Sequence, residues 1–189
     1  MKKNPTITAQ TKQNLIDAFW ELYCTKRIEK ITIKEISARA GYNRSTFYEY
    51  FSDVYDVLDQ MENNLIAKLQ ELPLQQLSSP NETFPFEAIF NLYSQHSKYL
   101  VVLLGEHGDP AFQHKMKASM KPMMKQALLS HGANDGFELD YTMEYALSAM
   151  IGILSYWFGQ EEAPSIEKLM ELLSEISSEG VMKKLLRYE

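Results

Sequence analysis

Asn43, Arg44, Ser45, Thr46, Tyr48 and Tyr50 fall within one eight-residue stretch, and every one of them can donate a hydrogen bond. A guanidinium is a planar fork of donors that fits phosphate oxygens or the O6/N7 edge of guanine. Hydroxyl and phenol groups donate singly to phosphate oxygens. This is chemistry for an anionic, oxygen-rich surface, and the spacing does not say which bases would be read. Catalysis finds no support in the sequence. There is no nucleophile motif, no phosphate-cradling glycine loop and no pair of catalytic carboxylates, so the expectation is a protein that is not an enzyme.

Such donors act only if short elements hold them outward. Thr32-Ile33-Lys34-Glu35 is a capping box that opens a helix of about two turns, and Gly41 ends it. Asn43 then caps a third helix, Arg44 to Tyr50, with Phe47 and Phe51 pointing inward at i, i+4 spacing. Ser52-Asp53 caps a fourth helix that starts near Val54 and runs to Leu72. Before them lies a first helix from Thr8 to Lys26, with Leu15, Ile16, Phe19, Leu22 and Tyr23 on its buried stripe and Cys24 read as a small core residue. A two-turn helix, a glycine turn and a second short helix make a helix-turn-helix, whose second helix enters the DNA major groove while the first crosses the backbone.

The runs Ile31-Thr32-Ile33-Lys34-Glu35-Ile36 and Ala40-Gly41-Tyr42-Asn43-Arg44-Ser45-Thr46-Phe47-Tyr48-Glu49-Tyr50-Phe51 resemble the DNA-binding domain of the tetracycline-repressor (TetR) family of transcriptional regulators. The likeness reaches back to Thr11-Lys12 and Ala18-Phe19 and forward to Leu58. It implies that Thr32, Asn43, Arg44, Ser45, Thr46, Tyr48 and Tyr50 contact DNA, mostly its backbone. Lys34 is a further phosphate contact by its exposed place near the start of the second helix. One position departs from the pattern: the family commonly has Lys at the start of the fourth helix, where this chain has Asp53. An aspartate there would repel phosphate unless it caps its own helix.

Charge is distributed accordingly. Residues 1–55 hold nine Lys/Arg against six Asp/Glu, and residues 56–189 hold ten against nineteen. A basic end is therefore attached to an acidic body, within an overall net charge of −6. At 189 residues with 45% hydrophobic and 23% charged residues, the chain has room for one or two folded units. Periodicity throughout is helical, so the expected fold is all-α, with a helix-turn-helix domain over 1–55 and a helical bundle for effector binding and dimerisation over 56–189. Pro73 to Pro85 reads as the loop between units. One cysteine excludes an intrachain disulfide. No apolar run spans a membrane and no export signal is evident, so the expected compartment is the cytoplasm, with no membrane partner.

The body must be read from local chemistry. Helices are expected over Phe86–Gly105, from Asp109-Pro110 to His131, over Leu139–Gly159 and over Pro164–Ser178. Met116, Met120 and Met123 share a face that, with Phe90, Tyr93, His96, Phe112 and Tyr156, could line an adaptable pocket for a small apolar or amphipathic effector. The same residues could serve as ordinary core. Lys115, Lys117, Lys121 and Lys125 read as the solvated side of that helix, with contact to an anionic effector as the sharper alternative. Ala149, Gly152 and Tyr156, with Ile166, Leu169, Met170 and Leu173, read as a helix pair that packs within the chain, against a second copy, or both; the second copy is favoured because a palindromic double-stranded operator needs a two-fold symmetric reader. Histidines 96, 107, 114 and 131 lack metal-ligand spacing. Neither a metal nor a cofactor is expected.

Overall fold

A computed structural model describes residues 5–71, 86–105, 108–130 and 132–180. Eight α-helices and no strand occur among the described residues: α1 (Pro5–Tyr23), α2 (Ile33–Ala40), α3 (Arg44–Tyr48), α4 (Val54–Gln70), α5 (Phe86–Leu104), α6 (Pro110–Ser130), α7 (Phe137–Phe158) and α8 (Ile166–Glu179). A 3-10 turn at Ile28–Lys30 follows α1. The chain is all-α, as its periodicity predicts. It divides into two compact units at Leu65/Ile66, a point inside α4. The expected loop at Pro73–Pro85 lies outside the described residues.

In the first unit, α1 packs against α2 and α2 against α3, and Leu15, Phe19 and Leu22 of α1 are buried together with Ile36, Phe47, Phe51 and Val57. Phe19 and Phe47 are wholly buried, and side chains of this size contribute about 1.5–3 kcal/mol each when removed from water. Phe47 and Phe51 lie with ring centroids 5.4 Å apart. Helix α1 ends at Tyr23, where its apolar stripe ends and short of the expected Lys26, and Cys24 consequently falls in the turn beyond it and is exposed. That corrects its expected core position, because helical periodicity no longer applies past the helix end.

In the second unit, α5 packs against α6, α7 and α8, and α6 packs along α7. Asp109 accepts the Ala111 N–H at 2.8 Å, so the Asp-Pro pair opens α6 as an N-cap and first-turn proline. Ser165 caps α8 by accepting from the Lys168 N–H. The methionine face of α6 is Met116, Met120 and Met124, flanked by Phe112 and Ala127; Met123 is only half-buried. Pro122, inside the helix, lacks the N–H that would bond one turn back. No described helix is long and apolar enough to cross a membrane.

Candidate functional site

The helix-turn-helix is built by its caps. Thr32 Oγ1 accepts the Glu35 N–H at 3.2 Å while Glu35 Oε2 accepts the Thr32 N–H at 3.0 Å, the reciprocal capping box. At the other end of α2, Gly41 adopts φ 77°, the Gly41 N–H bonds Ala38 C=O, and the Tyr42 N–H bonds Ser37 C=O at 2.8 Å. This is the Schellman arrangement, which needs a left-handed residue at Gly41. The Asn14 amide donates to the Tyr42 hydroxyl at 3.0 Å and so braces the turn against α1. The reversal presents α3 with its first turn outward.

Asn43 Oδ1 caps α3 by accepting the Thr46 N–H at 2.9 Å, and it also accepts the Ser45 and Thr46 hydroxyls at 2.6 and 3.0 Å. Thr32 Oγ1 likewise donates to Glu35 at 2.9 Å. These hydroxyls therefore satisfy their own helix termini, and an anionic oxygen brought to this end would compete for the same protons. Arg44, Ser45 and Tyr48 are exposed, whereas Thr46 and Tyr50 are half-buried. Lys34 is exposed as well. Among the described residues neither Lys34 nor Arg44 forms an ion pair, in contrast to Lys26, bonded to Glu35 at 2.6 Å, and Arg39, bonded to Glu21 at 2.9 Å. The Lys26 and Thr32 hydrogen bonds hold the Glu35 carboxyl down to about 2.

Asp53 turns inward to its own helix. Its Oδ1 accepts the Asp56 N–H at 2.8 Å, and Asp56 accepts the Ser52 N–H at 2.8 Å. That backbone bond, then the Gln60 amide, keeps the Asp56 carboxyl below its ordinary value. The acid at position 53 is thus a cap on its own helix.

The second unit encloses an apolar cavity of about 40 Å3. Of the residues expected around a pocket, Tyr93, Met116 and Met120 line it. His96, Phe112, Met123 and Tyr156 do not: Phe112 is wholly buried elsewhere in the core, and Tyr156 is 71% exposed. The Phe90 side chain lies outside the described residues. Sequence reasoning missed the wall formed by Leu147, Met150, Ile151, Leu154 and Phe158 of α7. Its i, i+3, i+4 spacing is readable in the sequence. Tyr93 stands at the cavity's margin beside Trp157, with ring centroids 5.3 Å apart, and Trp157 Nε1 donates to Pro164 C=O at 2.7 Å.

The lysines of α6 are less free than a solvated face implies. Lys117 and Lys121 both bond Glu144 of α7, and Lys125 bonds Asp135 at 2.7 Å and Asp140 at 2.9 Å. The Lys117 and Lys121 hydrogen bonds pull the Glu144 carboxyl down to about 2. Among the described residues no group of His, Cys, Asp or Glu could hold a metal ion.

Of the expected dimer residues, Ile166, Leu169, Met170 and Leu173 are buried within the chain itself. Helix α8 packs on α5, so these side chains serve the intrachain packing. Ala149 is half-buried, while Gly152 and Tyr156 are exposed. The surface that α7 leaves open consists of Phe137, Tyr141, Tyr145 and Tyr156, all 65 to 75% exposed.

Comparison with known proteins bears on both halves. A family model described as Transcriptional regulator C-terminal region, of the TetR series, matches residues 82–179, just over half of the chain. The fold is similar to a TetR transcriptional regulator from Streptococcus agalactiae 2603V, with TM-score 0.68 and 21% identity, over 92% of this chain and 96% of that one. It is similar also to the fatty acid degradation regulator FadR from Bacillus halodurans, with TM-score 0.68 and 13% identity, over 96% and 98%. A third likeness is to the dihydroxyacetone kinase operon activator DhaS, with TM-score 0.63 and 18% identity, over 88% and 93%. With a helix-turn-helix closed by its own caps at one end and the matched regulator region at the other, the chain belongs to the TetR family of transcriptional regulators.

Proposed function

We propose that this regulator is a homodimeric repressor that holds a palindromic operator with two copies of α3 and lets go when a small apolar effector enters the second unit. It would act in the cytoplasm, without chemistry of its own. The observation that carries the DNA reading is that Lys34 and Arg44 stand exposed beside the donors of α3 and in no ion pair among the described residues, whereas Lys26 and Arg39 are tied to acids. Phosphates would satisfy both charges. Thr32, Asn43, Ser45, Thr46, Tyr48 and Tyr50 supply the neutral donors, with Asn43 acting through its amide nitrogen because its oxygen is the cap.

The effector reading is supported by the cavity, where Leu69 in the last turn of α4 forms part of the wall. A ligand that displaces Leu69 pushes on a helix whose first turn follows α3. A change of about 1–3 kcal/mol in coupling shifts affinity roughly 5- to 150-fold. A second reading has its own observation: a cavity of about 40 Å3 is far below the ~150 Å3 that admits benzene, which favours a DNA-anchored adaptor that binds a protein and no small molecule. The likeness to an operon activator leaves either sign of regulation compatible with the fold.

The test is to incubate the purified protein with fragmented DNA of its source, recover what stays bound at physiological salt, and footprint it. A palindrome with half-sites about 34–36 Å apart is the expected product. A folded protein that enriches no sequence overturns the operator reading.

A further inference from the structure

Eleven of the twelve side chains around the cavity carry no oxygen or nitrogen, and the Tyr93 hydroxyl is the exception. Ten of the twelve are buried; Tyr93 and Phe158 are the half-buried members, so the cavity's mouth lies between them. A polar group carried inside would lose water and find no partner, which confines polar atoms to the mouth. Charge is disfavoured there too, because Lys117, Lys121 and Lys125 of the adjoining α6 already neutralise carboxylates of α7.

Size discriminates further. A rigid planar ring must displace the walls across its whole breadth at once, whereas a slender chain advances between side chains that rotate aside one by one. The walls suit the second case. Met116 and Met120 of α6 and Met150 of α7 are unbranched thioethers that repack with little strain. We infer, on the reading that this cavity is the effector site, that the effector carries an unbranched alkyl chain with a neutral polar head. The chain lies among Met116, Met120 and Met150, and the head meets the Tyr93 hydroxyl.

The experiment titrates the full-length protein with n-alkanols from butanol to decanol, with decanoate and with 2-naphthol, following tryptophan emission and heat of binding. Trp157 is the reporter, since its ring centroid is 5.0 Å from that of Phe158 and 5.3 Å from that of Tyr93. Trp157→Phe identifies its share of the signal against Trp20. The expected result is one alkanol per chain, tightening about fourfold per methylene, the equivalent of ~0.8 kcal/mol for each buried CH2. Decanoate and 2-naphthol should bind at least tenfold more weakly than decanol. Met120→Phe, which fills the cavity, should abolish saturable binding while DNA binding persists. Equal or tighter binding of 2-naphthol or decanoate overturns the alkyl, neutral class and leaves the effector reading standing. No saturable binding of any probe, with DNA affinity unmoved, overturns both and brings the adaptor forward.

Discussion

Arg44 shows why residue type and residue role are separate questions. Its guanidinium stands exposed on the first turn of α3 with no internal ion pair among the described residues, so either phosphate or a guanine edge is open to it. The two uses leave different signatures. If Arg44 clamps phosphate, Arg44→Ala lowers the salt slope of DNA binding by about 0.9 per protomer and weakens all sequences alike. If it reads guanine, the variant loses about 1–3 kcal/mol of discrimination at one base pair with the slope nearly unchanged. Affinity titrations across salt concentrations on specific and scrambled duplexes decide between them, and a variant indistinguishable from the parent removes Arg44 from the site. Glu35 makes a different kind of claim. Its carboxyl sits at about 2 in the fold against an ordinary 4.5, because Lys26 and Thr32 bond the charged form. A depressed acid contributes stability that is fully present above 4.5 and drains away as pH falls toward 2. The melting temperature of Glu35→Gln should therefore vary less with pH across that window than the parent's, and parallel curves would contradict the assignment.

At the level of elements, the parts of the fold that the sequence announced are those fixed by local bonds. Thr32 with Glu35, Gly41, Asn43 and Asp109 each name a helix end by a side chain or a backbone freedom that works within a few residues, and the structure has all four where they were expected. Gly41 is the sharpest case. Nothing lies within 4 Å of a Cβ built there, so a side chain meets no steric obstacle and the only cost is the left-handed backbone at φ 77°. Gly41→Ala should destabilise the first unit by about 1 kcal/mol and Gly41→Asn by less, measured by urea unfolding. An alanine variant as stable as the parent would mean that the turn tolerates another conformation. The ends of α1 and α3 come earlier than the sequence suggests, by contrast, because no capping residue marks Tyr23 or Tyr48. The cavity was half legible for a related reason. Periodicity says that Met116, Met120 and Leu147 are buried, but which buried residues border empty space depends on how α5, α6 and α7 meet.

For the whole molecule, periodicity is silent on whether an apolar stripe is satisfied inside the chain or by another copy. Ile166, Leu169, Met170 and Leu173 of α8 are buried inside the chain, while among the described residues α7 carries an exposed aromatic surface. Phe137, Tyr141 and Tyr145 succeed one another at i, i+4 spacing, and Gly152 lies exposed between them and Tyr156. Aromatic side chains bury about 150–250 Å2 each, so four of them at this exposure offer roughly 400–750 Å2 per protomer. That approaches the ~800 Å2 per partner of a stable interface before any neighbouring residue is counted. A second copy covering this face would also join two weakly binding α3 helices into one operator reader. Tyr141→Glu combined with Tyr145→Glu tests the surface directly: glutamate is a good helix former, both sites are exposed within one protomer, and four carboxylates would face each other across the two-fold axis. Sedimentation should then give a folded monomer, with operator binding weakened about 10²–10⁴-fold through loss of the linked half-site. A dimer that survives the double substitution would move the interface off α7. A folded monomer that still binds the full operator with parental affinity would detach dimerisation from DNA recognition.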